Sequence, residues 1–139
     1  MPAVYEHHHT VRIDEIDDLD HANNLSYLQW MISAALAHSA AQGWPVSRYK
    51  EMGQGWVVRA HTIKYLQSTM LDDVVVVRTW VADFKRFSSL RRYKIVREHD
   101  RALLATASTE WAFVDFTSHA LARVPQEVIE SFVIAPEPV

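Results

Sequence analysis

The side chains best able to do chemistry in this sequence crowd into one stretch between residues 17 and 27. It reads Asp17-Asp18-Leu19-Asp20-His21-Ala22-Asn23-Asn24-Leu25-Ser26-Tyr27. A helical pattern begins at Asn24, and the first turn of a helix has free backbone N–H groups and a partial positive charge. Such a turn stabilises an oxygen that becomes negative during a reaction, and a carboxylate just before it could attack an acyl carbon or activate water to do so. The arrangement therefore suits acyl transfer.

The same residues also have a purely structural explanation. Acidic residues ahead of a helix each stabilise its dipole by roughly 0.3–1 kcal/mol. Asn23-Asn24 is an ordinary capping pair, and either residue suits the N-cap. Short motifs also arise by chance. Composition alone therefore favours a helix cap over a reactive site.

The elements that must position this segment follow from hydrophobic periodicity. Alternating residues from Tyr5 to Asp14 predict an edge-like strand, and a loop leads from there into a long helix, Asn24 to Gln42. Gly43 suits the end of that helix. The positions that recur at three- and four-residue steps along this helix are Leu25, Leu28, Ile32, Ala35, Leu36 and Ser39. Trp30, Met31 and Ala34 are further apolar residues outside that stripe. Because its apolar residues cover more than one stripe, we expect burial on most sides.

Strand-forming residues dominate after Gly55. They predict strands at 56–66, 74–84, 90–98 and 103–116, after a helical turn at 47–52 and before a closing helix at 125–132. The run Val74-Val75-Val76-Val77 has no polar face, so we expect it mid-sheet with both faces covered. Short connections imply antiparallel neighbours. The order predicts an α+β fold with a curved antiparallel sheet of about five strands round one central helix.

Composition narrows the class of protein. The chain has 139 residues, 49% hydrophobic and 22% charged, which indicates a single globular domain over residues 1–139. The absence of cysteine excludes disulfides, thiolate zinc sites and a cysteine nucleophile. A net charge of −3 disfavours a nucleic-acid partner. No apolar run approaches the roughly 20 residues of a membrane span, and the acidic, histidine-bearing start is unlike a signal peptide, so we expect a cytoplasmic protein.

The segment from Val11 to Trp30 resembles a known signature. With Asp17, His21, Asn23-Asn24 and Tyr27 at its fixed points, it is similar to the Asp-x-x-Gly-His-Val-Asn-Asn-x-x-Tyr motif of hotdog-fold acyl-CoA thioesterases of the 4-hydroxybenzoyl-CoA thioesterase-like group. The resemblance continues downstream. It covers Val57-Val58-Arg59-x-His61-x-Ile63-x-Tyr65, Arg78-Thr79-Trp80 and Arg123-Val124-Pro125.

The resemblance implies roles for the residues of the motif. Asp17 corresponds to the catalytic carboxylate, acting as nucleophile or as base for water. His21 and Asn24 correspond to the cap of the central helix, where backbone N–H groups polarise the thioester carbonyl, and Tyr27 corresponds to a substrate-binding residue. Asp20 stands where the family has glycine. A second carboxylate there could repel an anionic ligand or Asp17, or shift the loop.

Two further pairs of residues have alternative interpretations. His61 and Tyr65 share a strand face and could line the acyl tunnel, although a hydrogen-bonded core pair fits equally well. Ser88 and Ser89 fit a turn in which hydroxyls cap backbone groups. The resemblance places that loop near the ligand, so Ser88 is included as a binding candidate.

Seven of the fourteen basic residues in the chain lie in the segment from Lys85 to Arg101. Alternating cations are common on the solvated face of an antiparallel pair. If the resemblance holds, a basic rim would bind the phosphates of coenzyme A, with Lys85, Arg86 and Arg91 as the contacts.

Taken with the resemblance, the residues predict hydrolysis of an acyl-CoA to free acid and CoA, without a metal or redox cofactor. His7-His8-His9 does not predict a metal site, because consecutive strand residues face opposite ways. Plant-type acyl-ACP thioesterases have similar patterns, so acyl carrier protein remains an alternative carrier, and a non-catalytic acyl-CoA-binding protein another possibility. A hydratase or dehydratase is disfavoured because the Asp-x-Asn-Pro-x-His pattern is absent.

The resemblance also implies self-association as a dimer or a dimer of dimers. A short curved sheet leaves an edge strand, which a second copy would cover. In such a pair Asp17 of one chain would meet part of the acyl tunnel of its partner.

Overall fold

The computed structural model describes residues 3–136, so the first two and last three residues of the predicted domain lie outside the described part. A single-turn 3-10 helix, Ile13–Glu15, separates the first strand from the long helix. The other elements are β1 (Tyr5–Thr10), α1 (Asn24–Ala41), α2 (Val46–Met52), β2 (Gln54–Tyr65), β3 (Val74–Phe84), β4 (Ser88–Arg97), β5 (Leu103–Asp115) and α3 (Gln126–Glu130).

The five strands form one antiparallel sheet in the order β1-β3-β4-β5-β2. The long helix α1 packs against β1 and β3. This arrangement confirms the predicted α+β class and the number of strands. Within the described residues, no helix is long and apolar enough to span a membrane.

The face of α1 that packs on the sheet differs from the predicted one. Its fully buried residues follow a single stripe of three- and four-residue steps, whereas Leu25 is 73% exposed and Leu36 46% exposed. The expectation of burial on most sides was therefore wrong. Because this helix is apolar nearly all round, periodicity could not decide which face meets the sheet. The buried stripe consists of Ser26, Tyr27, Trp30, Met31, Ala34, Ala35 and His38.

Two strand predictions also need correction. β1 stops at Thr10 because the chain turns at Val11 into the 3-10 helix, so Asp14 lies beyond the strand. The run Val74 to Val77 does lie in an inner strand, but only its odd-numbered residues are fully buried. Its other face is partly exposed, because α1 covers one side of the sheet and no second layer of the described residues covers the other side.

A bulge interrupts the far end of β3 between Val81 and Asp83. The segment after α3 returns to this point, where Ile134 forms a parallel bridge with Val81 and the N–H of Ala135 donates to the Val81 carbonyl at 2.9 Å. A second apolar cluster lies nearby, formed by Trp44, Tyr49, Phe113, Val124 and Val128. This end of the molecule therefore has its own small core, separate from the one under α1.

Candidate functional site

Asp17 is exposed in a tight loop that is closed by hydrogen bonds between backbone groups of the loop. Ile16 pairs with Ala22, and the N–H of Asp17 donates to the His21 carbonyl at 2.8 Å. The side-chain Oδ1 of Asp17 accepts from the N–H of Leu19 at 2.9 Å and, more weakly, from that of His21 at 3.4 Å. Among residues 3–136, Oδ2 has no hydrogen-bond partner. The hydrogen bonds of one carboxylate oxygen therefore orient the side chain, and the other oxygen is left unbonded by the described residues.

Asp20 adopts a left-handed backbone conformation, with φ of 62°. Glycine adopts this region without strain, and aspartate tolerates it better than most residues. The loop therefore keeps the conformation that the family's glycine would permit. The side chain of Asp20 is exposed.

Glu15 holds the Asp17 loop in place. Sequence reasoning did not identify it as a functional residue. It is 3% exposed, and its carboxylate accepts from Trp30 Nε1 at 2.8 Å, His9 Nε2 at 2.7 Å and the N–H of Arg12 at 2.9 Å. Burial alone would raise the pKa of Glu15, but these hydrogen bonds hold the pKa below its ordinary value. The carbonyl of Glu15 also accepts from the N–H of Asn23. The loop is thus fixed to both β1 and α1.

The cap of α1 is Asn23, which corrects the assignment of Asn24 to that role. The Oδ1 of Asn23 accepts from the N–H of Ser26 at 2.8 Å and from its hydroxyl at 2.9 Å. Asn24 is instead the first helical residue. The N–H groups of Asn24 and Leu25 have no intrahelical acceptor, because they lie in the first turn. Asp17 and two N–H groups that are unpaired among residues 3–136 therefore flank the same short segment, with His21 half-buried between them.

The aromatic candidates are held by hydrogen bonds within the chain. Tyr27 is 2% exposed, and its hydroxyl donates to the Gln67 carbonyl at 3.3 Å. Tyr65 is 42% exposed, and its hydroxyl donates to the Asn24 carbonyl at 3.1 Å, beside the start of α1. Its ring meets that of Tyr27 edge to face.

His61 does not bond with Tyr65. Its Nδ1 lies 2.8 Å from Oγ1 of Thr109, the residue opposite it on β5. Partial burial lowers the pKa of His61. His61 and Tyr65 thus belong to separate contacts rather than to the predicted pair.

The predicted basic contacts separate into two groups. Lys85 and Arg86 are exposed on the β3–β4 turn, where they border a shallow groove with Arg123. Arg91 is only 6% exposed and points into the interior, so its assignment to the basic rim was wrong. Alternation along β4 explains this, because odd-numbered residues of the strand face the core while Arg92 faces solvent.

Arg91 faces a cavity of about 120 Å³ between the second half of α1, α2 and the sheet. The volume is several times the space that one water molecule needs. Ser89 lies on this cavity, whereas Ser88, the predicted binding residue, does not. Seven aromatic side chains line the walls: Trp44, Tyr49, Trp56, Phe84, Trp111, Phe116 and Phe132.

The Asp17 loop and the cavity lie towards opposite ends of α1. Ala35 is the cavity residue on α1 nearest to Asn24, about 16 Å away along the helix axis. The β3–β4 turn is also remote from the Asp17 loop. The N–H of Ala22 donates to the Thr69 carbonyl near the start of β3, and the turn lies at the other end of that strand, which is roughly 30 Å long. In one chain, these features do not form a continuous pocket.

Comparison with known families identifies the chain. The profile for the acyl-ACP thioesterase N-terminal domain matches residues 2–132, nearly the whole sequence. The chain belongs to this family. The matched range includes the Asp17 loop, which therefore lies within a thioesterase domain. No curated protein sequence matches the chain.

Solved structures confirm the hotdog fold for this acyl-ACP thioesterase family member. A 1,4-dihydroxy-2-naphthoyl-CoA thioesterase from Synechocystis superimposes with a TM-score of 0.87 at 15% identity, over 97% of this chain and 99% of the other. A DHNA-CoA thioesterase from Staphylococcus aureus gives 0.86 at 22% identity, over 92% and 87%. A hypothetical protein from Staphylococcus aureus, solved in complex with CoA, gives 0.86 at 16% identity, over 92% and 80%.

Proposed function

We propose that this domain is a thioesterase that hydrolyses an acyl-CoA to the free acid and CoA, with Asp17 as the reacting carboxylate. The observation that carries the proposal is the exposed Asp17 side chain, with one oxygen unbonded within residues 3–136, in the loop that leads to the N–H groups of Asn24 and Leu25 in a member of a thioesterase family. The geometry of the Asp17 loop and the family match both support thioester hydrolysis.

The reaction needs two functions, and the loop offers both. Asp17 removes a proton from water as the water attacks the thioester carbon, or attacks that carbon itself and forms an anhydride that water then opens. The carbonyl oxygen becomes negative and is stabilised by the N–H groups of Asn24 and Leu25. When the C–S bond breaks, the sulfur leaves with the electron pair; it takes up the proton that Asp17 removed from water or, in the anhydride route, the proton released by the water that opens the anhydride. Water and thioester are thereby converted to acid and thiol.

Coenzyme A is the favoured carrier because the β3–β4 turn is basic. Lys85, Arg86 and Arg123 border one groove, and cations of this kind bind phosphates. Two of the similar structures are named as CoA thioesterases and a third was solved with CoA bound. Acyl carrier protein is the second candidate, favoured by the family match.

A site shared between two copies would join features that are separated in one chain. Asp17 lies near one end of α1, while the cavity and the basic turn lie near the other. A two-fold axis across paired chains would bring Asp17 of one copy to the cavity of its partner. Ile13, Leu19 and Leu25, which lie in and beside the Asp17 loop, are each more than 70% exposed, and such apolar surface is suited to a partner.

Thiol release from a panel of acyl thioesters tests the proposal. The panel contains aliphatic and aromatic acyl groups, each attached to CoA, to acyl carrier protein and to pantetheine. We expect turnover of at least one acyl-CoA well above the rate of spontaneous hydrolysis. Turnover only with acyl carrier protein would favour the second carrier, and no turnover with any thioester would refute the proposed activity.

A further inference from the structure

The guanidinium of Arg91 is buried without a counter-ion. Its Nη1 donates to His38 Nδ1 at 2.9 Å and to Thr79 Oγ1 at 3.1 Å. Within residues 3–136, neither Nε nor Nη2 makes a hydrogen bond, and no carboxylate pairs with the side chain. A cation in this position carries a large desolvation cost that neutral hydrogen bonds do not offset.

The residues around Arg91 are neutral. Burial, together with the charge of Arg91, lowers the pKa of His38 to about 4, so His38 is uncharged at neutral pH. An arginine can only donate, so Nδ1 of His38 accepts and its proton is on Nε2. Tyr5 stacks on the imidazole and Phe132 meets it edge to face, which holds the ring in place. The remaining titratable neighbours, Tyr49 and Tyr93, are neutral phenols whose pKa burial raises.

Among the other polar groups on the cavity wall, the two serine hydroxyls are engaged, whereas the indole Nε1 of Trp111 is buried and makes no hydrogen bond within residues 3–136. The hydroxyl of Ser39 donates to the Trp44 carbonyl and that of Ser89 to the Asp83 carbonyl, at 2.7 and 2.8 Å. Of the described residues that line the cavity, Arg91 alone carries a charge. The cavity therefore offers apolar aromatic walls and one cation with unused N–H donors. These features are complementary to an apolar ligand that ends in an anion.

We infer that this cavity binds an acyl group with a carboxylate at the end remote from the thioester, and that Arg91 is the counter-ion of that carboxylate. Leu36, Val46 and Phe116 are each more than a third exposed and form the open side through which the acyl group would enter. For a thioester, the inference rests on the proposed function. The carboxylate site itself does not, because binding there needs no catalysis.

Isothermal titration calorimetry with uncleavable probes tests the inference directly. Octanamide, 8-hydroxyoctanamide and the monoamide of octanedioic acid have the same chain length and differ at the remote end. Each is titrated into the unmodified protein, into Arg91→Met and into Arg92→Met. Arg92 is the matched control because it is the next residue of β4 and faces solvent.

The monoamide should bind the unmodified protein roughly tenfold or more tightly than the other two probes, since a charge-assisted hydrogen bond is a strong one. Arg91→Met should abolish this preference and Arg92→Met should keep it. Absence of binding, equal binding of octanamide or 8-hydroxyoctanamide, or a preference that survives in Arg91→Met would overturn the inference.

The test depends neither on the folding of the Arg91 variant nor on thioester hydrolysis. If Arg91→Met does not fold, the comparison of the three probes on the unmodified protein still decides the outcome. Because the probes contain no thioester, a failed search for hydrolysis leaves the inference standing. Conversely, proven hydrolysis with no carboxylate preference refutes the inference alone.

Discussion

At the scale of single residues, the buried pair of His38 and Arg91 links the ionisation of the protein to its stability. His38 is 3% exposed and its pKa is lowered to about 4, below the ordinary value of 6.5. When the protein unfolds, the His38 imidazole becomes exposed to water. Between pH 4 and pH 6.5 it then binds a proton that it does not bind in the folded state. Over that interval the unfolded state holds more protons than the folded state, so the free energy of unfolding rises with pH.

We predict that His38→Asn removes part of the acid sensitivity of this protein. In the unmodified chain, His38 contributes a loss of up to about 1.4 kcal/mol per pH unit as the pH falls from 6.5 towards 4. Asparagine has a carbonyl oxygen that can accept from Arg91, but it does not titrate. Urea unfolding of both proteins at several pH values measures the difference. His99→Asn is the control, because His99 is exposed. Equal slopes for the unmodified protein and His38→Asn would contradict the assignment.

Residues whose partners are local could be predicted from sequence, and those with distant partners could not. The Asp17 loop and the capping asparagines are visible because cap and helix are adjacent in the chain. Even there, the choice of Asn23 over Asn24 needed the backbone geometry. The pairing of Arg91 with His38 joins residues 53 positions apart, so no spacing in the sequence indicates it.

At the scale of elements, strand prediction succeeded where alternation or β-branched residues were clear. β3 has the predicted bounds, and the other long strands differ by one or two residues at their ends. The buried face of α1 could not be predicted, because leucines occupy the side that this chain leaves open. The β3–β4 turn presents two adjacent exposed cations, Lys85 and Arg86, and is the element that we propose to bind the carrier.

We predict that Lys85→Ala with Arg86→Ala raises the KM for CoA esters and leaves the KM for a pantetheine thioester unchanged. The cations recognise phosphates, and pantetheine has none. Steady-state kinetics with both substrates provides the measurement. Arg101→Gly is the control, since it removes a cation from the β4–β5 turn at a left-handed position that glycine accepts. A similar rise for both substrates would mean that Lys85 and Arg86 support the fold instead.

At the scale of the whole molecule, the sheet leaves β1 and β2 as its edges. β2 has 12 residues, and Val57 and Val58 are each more than 40% exposed on it. A long edge strand with exposed valines pairs readily with another copy. We therefore expect a second copy of the chain to pair with the β2 edge rather than with the inner run of valines in β3.

We predict a dimer or a dimer of dimers that is required for activity. Light scattering at the assay concentration should give at least twice the chain mass of 16.0 kDa. Val58→Lys places a charge on the β2 edge and should reduce both association and thiol release. Lys64→Ala, a change of an exposed cation on the same strand, should affect neither. A fully active monomer would contradict the shared site.

The most direct test of the central claim is thioester hydrolysis by Asp17→Asn compared with Asp18→Asn. Asparagine keeps the size of the side chain and an oxygen for the loop hydrogen bonds but removes the negative charge, so the Asp17 variant should fold normally. Asp18 is the neighbouring exposed carboxylate and serves as the matched control. We predict that Asp17→Asn lowers kcat/KM roughly a hundredfold or more while Asp18→Asn stays near the unmodified rate. Undiminished turnover by a folded Asp17→Asn protein would contradict the assignment of Asp17 as the reacting carboxylate.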